Sequence, residues 1–232
     1  MLHLRRSHER GHADHGWLVA RHTFSFADYY DPAHMGYRSL RVINEDKVQP
    51  AMGFPTHGHR DMEIVTWVLE GELKHEDSMG NGSVIRPGEA QYMSAGRGVL
   101  HSEFNASKQD RVHLLQIWIQ PSKAGETPRY GQKDFSQALE RGGFVPVATT
   151  SGRDGSLAIR QDAELLVARL DGAMELEHVL RPGRHAWVQV ARGALEVNGV
   201  KLEQGDGLAV EAEPRMVFGK AKQAEVLVFD LA

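Results

Sequence analysis

The fold is indicated most directly by residues 64–73, IVTWVLEGEL, an apolar run rich in β-branched residues that ends in a glycine turn. A run of this length and composition predicts a buried strand followed by a tight turn. The chain then passes a second turn at residues 80–82, GNG, and reaches residues 86–89, RPGE. The order is strand, glycine turn, hairpin, and a glycine followed by an acidic residue.

The same order returns in the second half of the chain. Residues 186–195, AWVQVARGAL, lead through Asn198-Gly199 to Gly205-Asp206. Between the halves, residues 134–141, DFSQALER, combine a capping residue with an apolar spacing of three to four and a following glycine pair, which predicts a short helix. Most other segments are short apolar runs bounded by glycine and polar turns. We therefore predict an all-β sandwich or barrel protein made of two related halves.

Two residue pairs of equal spacing lie in strand-like segments of the first half, His57-Gly58-His59 and His101-Ser102-Glu103. In a strand, residues i and i+2 point to the same face, so each pair presents two ligands to one side. If the two strands are neighbours, three imidazoles and one carboxylate can converge on one ion, and this set suits a divalent transition metal. The alternative is that each histidine is an isolated surface or core residue.

The repeat can be used to ask whether the second half keeps these ligands. Aligning Gly71 with Gly193, and Gly88 with Gly205, gives offsets of 193 − 71 = 122 and 205 − 88 = 117 residues. These offsets transfer the four candidate ligands to the following positions: Val179, Arg181, Phe218 and Lys220. None of these side chains can replace an imidazole or carboxylate ligand. We expect one metal ion per chain, held by the first half alone.

The composition narrows the class of protein. The chain has 232 residues with 41% hydrophobic and 25% charged residues, and it has no apolar run long enough to span a bilayer. It has no cysteine, which excludes thiolate ligands and nucleophiles and leaves histidine and carboxylate as the good transition-metal ligands. The net charge of −4 gives no basic footprint for nucleic acid. We expect a monomeric cytoplasmic protein that binds neither membrane nor nucleic acid directly.

Several motifs together resemble the pirin family of bicupins over nearly the whole chain. They are residues 22–26, HTFSF; 55–60, PTHGHR; 69–71, LEG; and 93–103, MSAGRGVLHSE. The chain departs from the general cupin pattern in the spacing before His57 and at Gly96, where many cupins have proline. The resemblance implies two jelly-roll β-barrel cupin domains with a short connecting helix. Residues 1–130 would form the N-terminal metal-binding domain and residues 131–232 a degenerate C-terminal one.

The resemblance also implies roles for particular residues. In pirin-like proteins the fourth ligand is the glutamate two positions after the last histidine, here Glu103, beside His57, His59 and His101. Glu63, at the usual cupin ligand position, would then have a supporting or structural role. The alternative for Glu103 is a surface carboxylate paired with Arg60 or Arg97. The implied metal is iron, although copper, manganese, nickel, zinc and cobalt can use the same ligands.

The activity implied by the resemblance is that of quercetin 2,3-dioxygenase. Both atoms of O2 would be inserted into the central ring of a flavonol, with release of carbon monoxide. Glu103 would take the proton of the flavonol 3-hydroxyl. The alternative is a non-catalytic, metal-binding regulatory protein or transcriptional cofactor. Seven apolar side chains are candidates for the pocket wall, although such residues more often belong to the barrel core: Phe24, Phe26, Tyr29, Tyr30, Met52, Phe54 and Met93.

Overall fold

A computed structural model describes all 232 residues of the chain. It contains twenty strands, one α-helix and two short 3-10 helices, at Ser7–Glu9 and Arg153–Gly155. The strands and the α-helix are, in chain order, β1 (Leu2–Arg5), β2 (Gly11–Asp14), β3 (Leu18–His22), β4 (Leu40–Val48), β5 (Gly53–His59), β6 (Glu63–Glu70), β7 (Leu73–Asp77), β8 (Gly82–Ile85), β9 (Glu89–Ser94), β10 (Val99–Asn105), β11 (Val112–Ile119), β12 (Arg129–Asp134), α1 (Ser136–Glu140), β13 (Val145–Thr149), β14 (Leu157–Ala158), β15 (Ala163–Gly172), β16 (Leu176–Val179), β17 (His185–Val197), β18 (Val200–Glu203), β19 (Gly207–Val210) and β20 (Arg215–Leu231). The predicted all-β class is confirmed.

The chain divides into two compact units. The first unit comprises residues 11–136 and 159–161, and the second unit comprises residues 1–10, 137–158 and 162–232. The domain boundary predicted between residues 130 and 131 stays a prediction. Residues 1–10 belong to the second unit, with the C-terminal part of the chain. They belong there because β1 pairs antiparallel with β19, which places Leu2 opposite Val210.

The first unit consists of two antiparallel sheets. One has seven strands in the order β12-β9-β6-β11-β4-β3-β2, and the other has four in the order β5-β10-β7-β8. The IVTWVLE run occupies β6, where every residue except Glu70 is buried, as its nearly continuous apolar sequence predicts. Trp67 and Val65 are fully buried in this unit. Both predicted ligand pairs lie in the four-stranded sheet, on β5 and β10.

The second unit is built on one nine-stranded sheet with the central order β1-β19-β17-β20-β15-β13-β14. The pairing of β16 with β20 corrects the alignment of the two halves. Leu176 faces Phe218, and Val179 faces Arg215. The transferred positions Val179 and Phe218 are therefore not opposite each other, whereas His57 and His101 are. Two fixed offsets cannot follow the different strand lengths, since β16 has four residues and β5 has seven.

The predicted helix at residues 134–141 forms, but it is shorter, with α1 limited to Ser136–Glu140. Asp134 caps it by accepting a hydrogen bond from the Ser136 backbone N–H at 2.8 Å. Gly142 ends it with a φ of 78°, the left-handed conformation that glycine adopts without strain. No helix in the chain has the length and apolar character needed to cross a membrane.

Candidate metal centre

Two neighbouring strands bring the three predicted histidine ligands together. β5 and β10 are antiparallel, and His57 lies directly opposite His101 while His59 lies opposite Val99. The ring centroids of His57 and His101 are 4.4 Å apart, and His59 lies 4.8 Å from each of them. One ring nitrogen from each residue falls in a group that spans no more than 4.8 Å.

Close approach of the two strands depends on Gly53. A Cβ atom at this position would lie 2.2 Å from the backbone oxygen of Glu103, a distance that no side chain tolerates. The pairing shifts register between His101 and Glu103, so that Glu103 faces Phe54. This irregularity changes the direction of the end of β10, so that the Glu103 side chain lies beside the histidine group.

Hydrogen bonding orients the histidine rings. His57 Nδ1 lies 2.8 Å from the carbonyl oxygen of Pro55, which can only accept, so the proton of a neutral His57 ring is on Nδ1. Its Nε2 then presents a lone pair, and that atom lies 3.0 Å from His101 Nε2. Burial, with the neighbouring histidines adding to it, lowers the pKa of His59 to about 4 and that of His101 to about 3. His59 and His101 are therefore neutral at pH 7, as metal ligation requires.

Glu103 is buried, with 3% of its surface exposed, so the alternative of a surface carboxylate paired with Arg60 or Arg97 is wrong. Gln116 Nε2 donates a hydrogen bond to it at 2.9 Å, and Thr66 Oγ1 donates a longer one at 3.4 Å. Burial raises its pKa to about 7, although these two hydrogen bonds oppose the shift.

The structure places Glu103 beside His101 but not in the same tight group as His57 and His59. Its carboxylate oxygen lies within 4.8 Å of ring nitrogens of His75 and His101, which makes a second group of potential ligands. His101 belongs to both groups. No role was predicted for His75 from the sequence, because only the pairing of β7 with β10 places it opposite Glu103.

Glu63 has a structural position. Its carboxylate accepts hydrogen bonds from the Tyr92 hydroxyl, from Ser94 Oγ at 2.6 Å and from the Arg160 backbone N–H at 2.9 Å. This buried carboxylate therefore accepts three hydrogen bonds, and it belongs to neither group of potential ligands. Its interactions join β6 and β9 to residues 159–161 within the first unit.

A cavity of about 430 Å³ opens beside the histidines. Its aromatic walls are Phe26, Phe54 and Trp118, and His57, His59 and Glu103 line it as well. Of the seven apolar side chains proposed from the sequence, only Phe26 and Phe54 line this cavity, and Phe24 and Met93 are buried core residues.

Part of the cavity lining is polar and was not predicted. Asn44, Asp46 and Gln116 line it, from β4 and β11. Asn44 Oδ1 lies 2.8 Å from His22 Nδ1, whereas the buried Asp46 carboxyl has no ion-pair partner. Burial raises the pKa of Asp46 to about 8, and the charges of Glu103 and Glu45 add to this effect. Asn44 and Asp46 share a face of β4 because they are two residues apart, which is the one signal the sequence offered.

Comparison with known proteins supports the resemblance along the whole chain. A family model described as Pirin matches residues 3–119, and one described as quercetinase C-terminal cupin domain matches residues 146–231. A protein of Escherichia coli strain K12 named quercetin 2,3-dioxygenase is 48% identical over 231 residues, covering 100% of this chain and 99% of that protein. A pirin-like protein of Caulobacter vibrioides is 40% identical over 223 residues, 96% of each chain.

The fold of the chain also matches that of a solved structure. The crystal structure of the bacterial pirin YhhW from Escherichia coli in complex with nickel(II) superimposes with a TM-score of 0.95 at 48% identity, covering 100% of this chain and 99% of that one. The predicted bicupin architecture is confirmed by this match. Sequence identity, family models and fold agree over the full length, and this chain belongs to the pirin family.

Proposed function

We propose that the protein is a metal-dependent dioxygenase that cleaves flavonols such as quercetin with O2 and releases carbon monoxide. The observation that carries the proposal is the pair of Nε2 atoms of His57 and His101, which face each other at 3.0 Å beside an aromatic-walled cavity. The relative from Escherichia coli that is named quercetin 2,3-dioxygenase supports the choice of reaction.

The donor set fits a metal ion. His57 Nε2 presents a lone pair and lies 3.0 Å from His101 Nε2, and His59 adds a third ring nitrogen to a group that spans no more than 4.8 Å, so these three side chains would hold a divalent cation. We assign His57, His59, His101 and Glu103 as the ligands of one divalent ion per chain. Iron is our choice of metal, and copper, manganese, nickel, zinc or cobalt could use the same ligands.

The cavity residues suit a flat polyphenol. Phe26, Phe54 and Trp118 offer ring surfaces for stacking, and Phe26 packs edge-on against Trp118 with ring centroids 5.3 Å apart. The Asp46 carboxyl lines the cavity and has no ion-pair partner in the chain, so the hydroxyl group of a ligand can donate a hydrogen bond to it.

Glu103 is the proposed base. A pKa raised to about 7 makes its carboxylate a better proton acceptor than an ordinary glutamate, and Gln116 and Thr66 hold its oxygens in place. It would remove the proton of the flavonol 3-hydroxyl. When bound, the ion supplies Lewis acidity for the flavonol anion and redox capacity for the reaction with O2. A monomeric cytoplasmic enzyme that does not bind nucleic acid directly is part of the same proposal, supported by the net charge of −4.

The test is aerobic incubation of metal-defined protein with quercetin, following loss of the flavonol absorption band and release of carbon monoxide. We expect both signals to require O2 and to disappear with a chelator. Preparations fully loaded with iron, copper or nickel that leave flavonols intact in air would refute the enzymatic proposal. That result would favour a non-catalytic regulatory protein that uses the same ligands.

A further inference from the structure

His101 has a partner on each side of its ring. Its Nε2 faces His57 Nε2 at 3.0 Å, and its Nδ1 lies 3.4 Å from His75 Nδ1. Behind His75, its Nε2 lies 3.3 Å from Asp77 Oδ2, and the side chains of both residues are fully buried. Asp77, His75 and His101 therefore form a continuous polar chain that ends at the proposed metal position.

The partners of Asp77 fix the protons at the far end of this chain. Asn81 donates from Nδ2 at 2.9 Å and from its backbone at 3.0 Å, and Met79 donates from its backbone at 2.8 Å. Both Asp77 oxygens accept hydrogen bonds from these N–H groups, so Asp77 faces His75 as an acceptor and His75 carries its proton on Nε2.

The proton position on His75 then determines the proton position on His101. Gln91 Nε2 is an amide nitrogen that can only donate, so the His75 Nδ1 that faces it is an acceptor. Gln91 Nε2 donates to this atom at 2.8 Å, and the second donor facing it is His101 Nδ1–H. His101 then holds its lone pair on Nε2, the nitrogen that faces His57.

We propose that His75 and Asp77 are positioning residues that hold His101 in the tautomer and ring orientation needed to bind the metal ion through Nε2. The inference rests on the proposed metal site and does not depend on the flavonol reaction. Hydrogen bonding of the free nitrogen of a histidine ligand to an acceptor fixes the ring and raises its basicity. His75 is therefore a support for the site and not one of its ligands, because its Nε2 bonds to Asp77 and the lone pair of its Nδ1 is shared by two donors, Gln91 Nε2 and His101 Nδ1–H.

The surrounding structure keeps His75 in place. β7 pairs with β10 so that His75 faces Glu103 and Asp77 faces His101. Tyr130 stacks on the His75 ring with centroids 5.1 Å apart and an interplanar angle of 20°. His75-Glu76-Asp77 also has the same i, i+2 spacing as the two proposed ligand pairs, so the strand directs both side chains into the same buried layer.

The test compares His75→Phe, which keeps a ring for Tyr130 but removes the acceptor, with His113→Phe. His113 is an equally buried histidine bonded to Glu45 at 2.9 Å, and it is in neither potential ligand group. Nickel(II) affinity is measured by competition with a chelator. We expect His75→Phe to lose about 10- to 100-fold in affinity, His113→Phe to stay within about threefold of wild type, and His75→Gln, whose amide oxygen can accept, to recover most of the loss.

A second measurement needs no variant and therefore does not depend on whether the variants fold. In the cobalt(II)-loaded wild-type protein, proton NMR should show a hyperfine-shifted, slowly exchanging ring N–H from His101, because that proton is buried against His75. Its absence in wild type would overturn the proposal.

Unchanged nickel affinity in His75→Phe would also overturn the proposal, and so would complete loss of binding, because complete loss would identify His75 as a ligand. If His57→Ala loses metal while His75→Phe does not, only the positioning role fails; if His57→Ala keeps its metal, the proposed site itself fails.

Discussion

Glu103→Gln separates the ligand role of this residue from its role as a base. Glutamine is nearly isosteric and can still offer a carbonyl oxygen to an ion, but it cannot accept the proton of a flavonol hydroxyl. In the structure, Gln116 donates to one carboxylate oxygen at 2.9 Å, so the new amide should turn its carbonyl towards Gln116. Its NH2 group then occupies the place of the second carboxylate oxygen.

The expected loss follows from these contacts. General-base catalysis contributes about a hundredfold to ten-thousandfold in rate, which corresponds to about 3 to 5 kcal/mol of barrier. Turnover at pH 7 should fall by that factor, while metal content falls modestly, since three histidines remain. In the wild type, kcat/KM should rise with pH up to an inflection at or below the pKa of about 7 for the metal-free Glu103, because a bound cation lowers the pKa of a nearby carboxyl.

The assay is quercetin turnover at pH 6 to 9 with metal content measured on the same samples. The variant should lose the inflection and recover part of its rate at high pH, where solvent deprotonates the substrate. Glu45→Gln is the matched control, because Glu45 is also buried but bonds to His113 and does not line the cavity. A Glu103→Gln protein with normal metal and near-normal turnover at pH 7 would refute the reasoning. Asp46 would then be the next carboxyl to test, since Glu63 is held by three donors.

Three further results are expected. Elemental analysis should find one metal ion per chain, and two would contradict the assignment of the site to the first unit. His57→Ala should lose most of its metal, whereas Val179→Ala in the second unit should keep it; equal metal content in the two variants would contradict the ligand assignment. In metal-free protein, the contribution of Asp46 to stability should fall as pH rises from about 4 to 8, because folding favours protonated Asp46, while the lowered pKa values of His59 and His101 act in the opposite direction. In chemical denaturation, the free energy of unfolding of Asp46→Asn should fall less steeply with pH, or rise more steeply, than that of wild type, by up to about 1.4 kcal/mol per pH unit. An unchanged slope would show that Asp46 does not take up a proton on folding.

The sequence predicted those features that depend on local pattern. The apolar run of β6 and the i, i+2 pairs on β5 and β10 carry their information within a few residues, because strand geometry alone decides which side chains share a face. The short helix was predicted for the same reason, since its capping residue Asp134 and its terminal glycine Gly142 act locally.

Other features depend on which strands become neighbours, and no local pattern contains that information. Asp46 reaches the cavity only because β4 pairs with β11, and His75 reaches His101 only because β7 pairs with β10. The transfer of ligand positions to Val179 and Phe218 failed for a related reason, because register is set by strand length and pairing, which two glycine landmarks cannot supply.

The pairing of β1 with β19 has a consequence for the order in which the chain can fold. Leu2 must meet Val210, so β1 has to wait for a partner strand that is synthesised 208 residues later. The first unit needs nothing beyond residue 161 and can condense earlier. Closing so long a loop is slow, although its entropic cost grows only logarithmically with length. On the ribosome, residues 2–5 should therefore remain open to proteases after residues 11–136 have become resistant.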